Sequence, residues 1–139
     1  ATVALRALNA DARVVLPPAH ALALAAEGSE PLVEDDLRIG VFIELAEPPA
    51  GWPEGVTEAT WEFFDDERRI ALELAVPGRY RVHWAFAVNW AGRSDSVGDL
   101  SEDLPPPVEL EVGGGGARDV RLAPPAGILE RVKKRLGRP

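Results

Sequence analysis

The chain has 139 residues, 46% of them hydrophobic, carries a formal net charge of −8 and contains no cysteine. This length predicts a single domain large enough to bury a core. The absence of cysteine excludes disulfides, thiolate metal sites and cysteine nucleophiles. An acidic surface repels phosphate groups, so general binding to nucleic acid is disfavoured.

The sequence predicts neither a membrane anchor nor a leader. No stretch approaches the ~20 consecutive apolar residues that a membrane-spanning helix needs. Residues 1–15 lack a basic segment followed by an apolar run, which disfavours a signal peptide. Because a chain without cysteine fits a reducing compartment, we expect a cytoplasmic protein, with a mature secreted chain as the open alternative.

Most of the chain alternates apolar and polar residues with a period of two, as strands do when one face is buried. The runs that show this alternation cover residues 3–7, 37–45, 57–63, 70–76, 80–90 and 108–112. The segment "PPAHALALAAEGSE" fits a helix or a strand, and we favour a strand because its neighbours are strands. The four glycines at 113–116 predict a hairpin that joins residues 108–112 to the run "ARDVRL".

These short runs, separated by proline and glycine, predict a mostly β fold, an antiparallel β-sandwich over residues 1–124. Residues 125–139 change character, because their apolar side chains fall on one stripe of a short C-terminal amphipathic helix. The members of that stripe are Ile128, Leu129, Val132 and Leu136. We therefore expect a basic helical tail after the sandwich domain.

The tail differs from the rest of the chain in charge. It holds five basic residues and one acidic residue, whereas residues 1–124 hold ten basic and 22 acidic residues. Three placements are open for it: on the chain's own acidic body, on a neighbouring subunit, or on an anionic membrane or partner. We favour docking on protein. The expected contact residues are Arg131, Lys133, Lys134 and Arg135.

The longest alternating run, "GRYRVHWAFAVNW" at residues 78–90, presents two different faces. One parity is predicted to lie in the core and consists of Tyr80, Val82, Trp84, Phe86, Val88 and Trp90. The other parity is Arg79, Arg81, His83, Ala85 and Ala87. This second row is either a solvent face, with arginines paired to cross-strand glutamates such as Glu62 and Glu73, or a binding surface.

On the binding interpretation, a partner or a second subunit approaches closely over Ala85 and Ala87, and Arg81 and His83 flank the contact. A histidine in that position makes the contact sensitive to pH near neutrality.

Residues 70–82, "IALELAVPGRYRV", resemble a corner of immunoglobulin-like sandwiches, in which a strand turns through glycine into G-x-Y-x-hydrophobic. The matching residues are Gly78, Tyr80 and Val82. The resemblance implies that the tyrosine hydroxyl bonds back to the backbone of the corner. The pattern departs at Val82, where antibody domains carry cysteine, and at Val76, where an aspartate is absent. It is shared with the prealbumin-like class, and it implies a fold and no catalytic residue.

Motifs for catalysis are absent from the sequence. None of the four serines lies in G-x-S-x-G, and there is no His-Glu-x-x-His zinc motif. The acidic stretch "RSDSVGDLSEDL" offers weak candidate ligands for calcium, although a solvated loop is the favoured interpretation. Those candidates are Asp95, Asp99, Glu102 and Asp103. We predict no catalytic residue, no cofactor and no enzymatic activity.

Trp52 lies among prolines and glycines in "EPPAGWPEG". It is either an exposed anchor for a partner or a plug that closes the end of the sandwich, which we favour. The leading functional prediction is a protein-binding or accessory domain, for example an acidic inhibitor of the immunity type that masks a basic enzyme. A homodimer is an open option. The alternative is a carbohydrate- or ligand-binding sandwich that uses Trp52 and the acidic loop, with calcium as an optional ligand.

Overall fold

A computed structural model describes residues 20–88, 96–100, 107–113 and 118–137. Within these ranges the chain forms nine strands and one helix. They are β1 (His20–Ala26), β2 (Val33–Glu34), β3 (Leu37–Glu47), β4 (Ala59–Phe63), β5 (Arg69–Leu74), β6 (Gly78–Val88), β7 (Ser96–Asp99), β8 (Val108–Val112), β9 (Arg118–Leu122) and α1 (Ile128–Arg135). The strand predicted at residues 3–7 and the predicted core residue Trp90 lie outside the described residues.

The strands form two sheets. In the three-stranded sheet, β1 lies between β5 and β9. In the six-stranded sheet, the long strands β3 and β6 are antiparallel neighbours; β2 and β4 pair with β3, and β7 and β8 pair with β6. All of these pairs are antiparallel except β1 with β9, which is parallel. The predicted mostly β sandwich with a short C-terminal helix is confirmed.

The core forms where the two sheets face each other. Alternate residues of β3 point inward and are buried: Leu37, Ile39, Val41 and Ile43. Tyr80, Val82, Phe86 and Val88 of β6 are buried as predicted, and Trp84 packs partly buried at the border of the same cluster. From the opposite sheet come Leu22, Leu24, Ile70, Leu72, Leu74 and Leu122. Each such side chain contributes about 1.5–3 kcal/mol on burial.

Residues 20–26 form the strand β1, which confirms the choice of strand over helix. The predicted hairpin between β8 and β9 is wrong. β8 pairs with β6 in one sheet, whereas β9 pairs with β1 in the other, so the chain crosses between sheets. Each strand buries its alternate apolar residues against the same core from a different side, and alternation alone does not distinguish the two placements.

The corner between β5 and β6 carries the contact that the resemblance implied. The Tyr80 hydroxyl donates a hydrogen bond to the Val76 carbonyl. Glu58, from the segment before β4, accepts bonds from the backbone N–H groups of Ala75 at 2.8 Å and Val76 at 2.7 Å. Its second oxygen also lies 3.1 Å from the Tyr80 hydroxyl oxygen. Burial, followed by the charge of Glu58, raises the pKa of Tyr80 above its usual value.

The C-terminal helix docks on its own chain. Ile128, Leu129 and Val132 are buried in the shared core, which confirms docking on protein and places it within one chain. Leu136 departs from the predicted stripe, because it follows the last helical turn and is 37% exposed. Within the described ranges, no helix is long and apolar enough to cross a bilayer.

Polar contacts fix the orientation of α1. Glu30 accepts a hydrogen bond from the Gly127 N–H at 2.9 Å, at the start of the helix. Lys133 forms an ion pair with Glu34, in which its ammonium group donates a hydrogen bond to the carboxylate. This hydrogen bond raises the pKa of Lys133. The Arg135 guanidinium lies 5.8 Å from the centre of the Phe86 ring. The acidic segment between β1 and β3, which includes β2, therefore contacts the basic tail.

Candidate binding face

The outer face of the six-stranded sheet carries large rings where a solvated face carries polar residues. Because residues 37, 39, 41 and 43 of β3 point into the core, the even-numbered residues point outward. Phe42 lies between Trp61 of β4 and His83 of β6 in one cross-strand row, and Phe63 lies in the next row. We call these four residues, Phe42, Trp61, Phe63 and His83, the outer aromatic cluster. All four are partly exposed.

Three of these rings stack side by side across the sheet. The centres of the Phe42 and Trp61 rings are 4.5 Å apart, with 32° between their planes. The Phe42 and His83 rings are 6.0 Å apart and tilted by 29°. Both distances lie within the range of about 4.5–7 Å between the ring centres of interacting aromatic pairs. The stack spans β4, β3 and β6, so it forms a rigid apolar ridge on the sheet.

His83 is held in the stack by a carboxylate. Its Nε2 lies 2.9 Å from Oε1 of Glu44, and a protonated Nε2 donates to that oxygen. The side chains are 15% and 36% exposed respectively, so the pair borders the solvent. The pair therefore fixes the orientation of the imidazole ring and places a carboxylate beside the apolar ridge.

Phe63 covers a glycine in the neighbouring row. A Cβ atom built on Gly40 would overlap the backbone carbonyl oxygen of Glu62 and lie 2.7 Å from Cα of Phe63, so only glycine fits against the backbone of β4. Ala85 lies on the other side of Gly40 in the same row. Glycine at position 40 is thus required by the close approach of the β4 backbone, beside which the Phe63 ring lies.

Ala85 and Ala87 were predicted to be exposed and to face a partner, but both are buried. Their exposed fractions are 0% and 6%, so neither offers a surface for close approach. These small side chains are covered by neighbouring residues. Their burial could not be predicted from the alternation along one strand. Arg81 and His83 do point outward, as predicted.

Two rows of charged residues border the cluster across β3, β6 and β8. One row is Glu44, Arg81 and Glu109, and the other is Glu47, Arg79 and Glu111. The arginines therefore lie opposite these glutamates and not opposite Glu62 and Glu73, the partners first expected. Arg79 forms an ion pair with Glu47. Four carboxylates against two guanidinium groups leave this part of the face acidic.

A cleft of about 510 Å³ opens where the second charged row ends. Its walls include Pro48, Pro49 and Pro77, and Arg79 and Glu111 line it together with them. This volume falls in the range of sites that accept a small ligand or a large side chain. The cleft extends the outer face toward one end of the sandwich.

Of the other predicted partner and metal residues, the structure describes Trp52 and Asp99. Trp52 is partly buried in the loop between β3 and β4, and its backbone N–H donates a hydrogen bond to the Pro49 carbonyl at 3.3 Å. Asp99 belongs to strand β7 and pairs with Ala85, in the cross-strand row that also holds Gly40 and Phe63. Asp95, Glu102 and Asp103 lie outside the described residues. Over the part of the chain that the structure describes, no group of three His, Asp or Glu side chains is placed to hold a metal ion.

Sequence reasoning missed Phe42, Trp61 and Phe63 as surface residues. Phe42 stands among Arg38, Gly40 and Glu44 on the polar parity of β3, and this mismatch was the available signal.

Comparison of the chain with protein-family models, with curated proteins and with solved structures finds no match.

Proposed function

We propose that this protein is a non-enzymatic binding domain that recognises a protein partner through the outer face of its six-stranded sheet. The observation that carries the proposal is the outer aromatic cluster: large rings, partly exposed, on the side of a sheet that faces away from the core. Buried aromatic anchors dominate the energetics of protein interfaces, and tryptophan is foremost among them. Trp61 at the edge of the stack is the expected anchor.

Charge supports a basic partner. The chain carries a net charge of −8, and the two charged rows beside the cluster hold twice as many carboxylates as guanidinium groups. Complementary potentials accelerate encounter and select among partners. An acidic inhibitor that masks a basic enzyme is one concrete form of this function.

The surroundings of His83 support a role without catalysis. Its partners are the Glu44 carboxylate and the Phe42 ring, and no hydroxyl within the described residues is hydrogen-bonded to it. A histidine that activates a nucleophile requires such a hydroxyl or thiol within hydrogen-bond reach. We also propose the immunoglobulin-like relationship of the fold, which the Tyr80–Val76 contact supports.

The test is capture of partners from the native source with three immobilised forms: the wild type, Trp61→Ala and the control Leu136→Ala, which also truncates a partly exposed apolar side chain. We expect a basic protein to be retained by the wild type and the control and lost by Trp61→Ala. The purified partner should then bind Trp61→Ala at least about tenfold more weakly, because truncation of a hot-spot residue costs 2 kcal/mol or more.

Two results would count against the proposal. Equal retention by Trp61→Ala removes the aromatic cluster from the contact. Loss of retention only with Trp52→Ala transfers the contact to the loop between β3 and β4. Circular dichroism of each variant verifies that the sheet is intact, so that a lost contact is not confused with a lost fold.

A carbohydrate-binding function is the second candidate. The observation that favours it is the proximity of Trp61 and Phe42 to the polar groups of Glu44 and Arg81, since rings with a few convergent polar groups are typical of ligand sites. Calorimetric titration with simple glycans, with and without calcium, separates the two functions. If the wild type releases heat on titration with a glycan and Trp61→Ala does not, the carbohydrate-binding function is favoured. If the wild type gives no heat of binding, the protein-binding function is favoured.

A further inference from the structure

Among the strands that the structure describes, β9 forms one edge of the three-stranded sheet. It pairs in parallel with β1 from Arg118 to Leu122, and no other described strand pairs with it. It contains no proline, and its pairing with β1 shows no register shift. Proteins commonly use prolines and bulges to prevent an edge strand from pairing with another chain. Strand β9 carries neither of these two features, and its charged side chains are of both signs.

The direction of the peptide groups identifies which residues present the open edge. The Leu122 carbonyl accepts a hydrogen bond from the Glu27 N–H at 2.8 Å, so it points toward the β1 side. Peptide groups of successive residues in a strand point to opposite sides. Asp119 and Arg121 therefore direct their N–H and C=O groups away from β1, toward the open edge.

The sequence of this edge is complementary to itself. If a second copy of β9 pairs antiparallel about Val120, Asp119 of each copy lies opposite the partner's Arg121. These are the residues whose peptide groups are available, so each such pair exchanges two backbone hydrogen bonds. Both side chains lie on the outer face of the sheet, because they pair with Ala23 and Ala25. Opposite charges directly across strands stabilise a pairing, and like charges weaken it.

The surroundings of Arg121 favour the approach of a carboxylate. Arg69 and Arg121 lie on either side of Ala25 in one cross-strand row. Within the described residues, neither guanidinium forms an ion pair. Val120, on the inward parity, packs only partly buried against the core, and a neighbouring Val120 would cover its open side.

We propose that two copies of this protein form a two-fold symmetric dimer by antiparallel pairing of their β9 strands, which joins the two three-stranded sheets into one of six strands. The dimer leaves the outer aromatic cluster of each copy free, because that cluster belongs to the other sheet. A two-fold interface presents the same patch from both subunits. Five residues on each side bury little area, so the association is weak and requires high protein concentration.

Analytical ultracentrifugation of the full chain tests this pairing with a charge swap. We expect the wild type to dimerise as its concentration rises toward about 1 mM, the weak end of measurable association. Asp119→Arg and Arg121→Asp each place like charges opposite one another twice per dimer, and each should weaken dimerisation at least tenfold. The double variant Asp119→Arg/Arg121→Asp restores opposite charges and should recover the dimer.

The control is Glu73→Arg, a charge reversal on β5 at the other edge of the same sheet, which should dimerise like the wild type. Hydrogen exchange at the amides of Asp119 and Arg121 should slow with protein concentration. A wild type that stays monomeric at every concentration would overturn the proposal. Single variants that dimerise normally, or a double variant that does not recover, would equally exclude this register.

Discussion

At the scale of single residues, the corner between β5 and β6 depends on one phenol and one carboxylate. Tyr80 is fully buried, and its hydroxyl is satisfied by the Val76 carbonyl. Glu58 accepts the two neighbouring backbone N–H groups, which would otherwise lack a partner as the chain leaves the sheet. Backbone groups left unsatisfied on folding cost about 1–3 kcal/mol each. This arrangement therefore stabilises the point at which the chain crosses between sheets.

We expect the stability of the protein to fall above pH 10 because of Tyr80. Burial and the nearby Glu58 raise the pKa of Tyr80, so the folded state keeps its proton where the unfolded chain, with a pKa of about 10, loses it. The stabilising contribution is complete below pH 10 and decreases by about 1.4 kcal/mol per pH unit above it. Urea unfolding at several alkaline pH values measures this slope.

The control for this prediction is Tyr80→Phe, which should show a shallower alkaline slope than the wild type by that amount. Tyr80 is the only tyrosine in the chain, so ultraviolet titration of the phenolate band reports on this one group. A phenolate that forms near pH 10 in the folded protein would show that Tyr80 is not held in its protonated form.

Part of this corner could be predicted from sequence and part could not. The pattern of Gly78, Tyr80 and a following valine predicted the bond from the hydroxyl to the corner backbone. Glu58 gave no signal, because it precedes Tyr80 by 22 residues and its contact with Tyr80 depends on the tertiary structure. Similarly, the burial of Ala85 depends on neighbours outside its own strand.

At the scale of elements, periodicity predicted the strands better than their faces. The run from 57 to 63 alternates correctly, but Trp61 and Phe63 point away from the core and Phe64 is the buried ring. Phe64 lies one residue beyond β4, on the parity that carries Thr60 and Glu62 within the strand, so apolar rings occur on both parities around this end of β4. The sequence could therefore not show which face is inward. That ambiguity concealed the outer aromatic cluster, which is the candidate site.

For the helix α1, we expect Ile128→Ala to destabilise the protein by about 2–5 kcal/mol, the range for isoleucine truncation in a well-packed core. Ile128 has no exposed surface and belongs to the core cluster that the two sheets share. Leu136→Ala, at an exposed position after the last turn, should change stability by no more than about 0.5 kcal/mol. Denaturant unfolding compares the two, and equal effects would mean that the helix is not docked in solution.

At the scale of the whole molecule, the pairing of strands could not be predicted from sequence periodicity. β8 and β9 are neighbours along the chain and yet join opposite sheets, while β1 and β9 pair across almost the full described length. Their placement depends on contacts between distant residues. Each strand satisfies its alternation equally well in either sheet, so only the complete set of pairings determines the topology.

The same long-range organisation predicts how the molecule unfolds. The helix, the three-stranded sheet and the six-stranded sheet all contribute to one core cluster, so the basic tail has no separate core of its own. Elements that share a core lose their packing together, which gives a single cooperative transition in domains of this size. We therefore expect circular dichroism and tryptophan fluorescence to report the same denaturant midpoint.

Ile128→Ala should lower the midpoint seen by both probes equally, because the tryptophans respond to a core that the helix completes. Amide hydrogen exchange supplies the local measurement: protection at Val132 in α1 should approach that of Ile39 in β3, since exchange of buried amides requires the global opening. A helix that exchanges freely while β3 remains protected would mean that residues 128–135 open independently of the sandwich. The tail would then be a detachable segment, and the ion pair of Lys133 with Glu34 would be too weak to hold it in place.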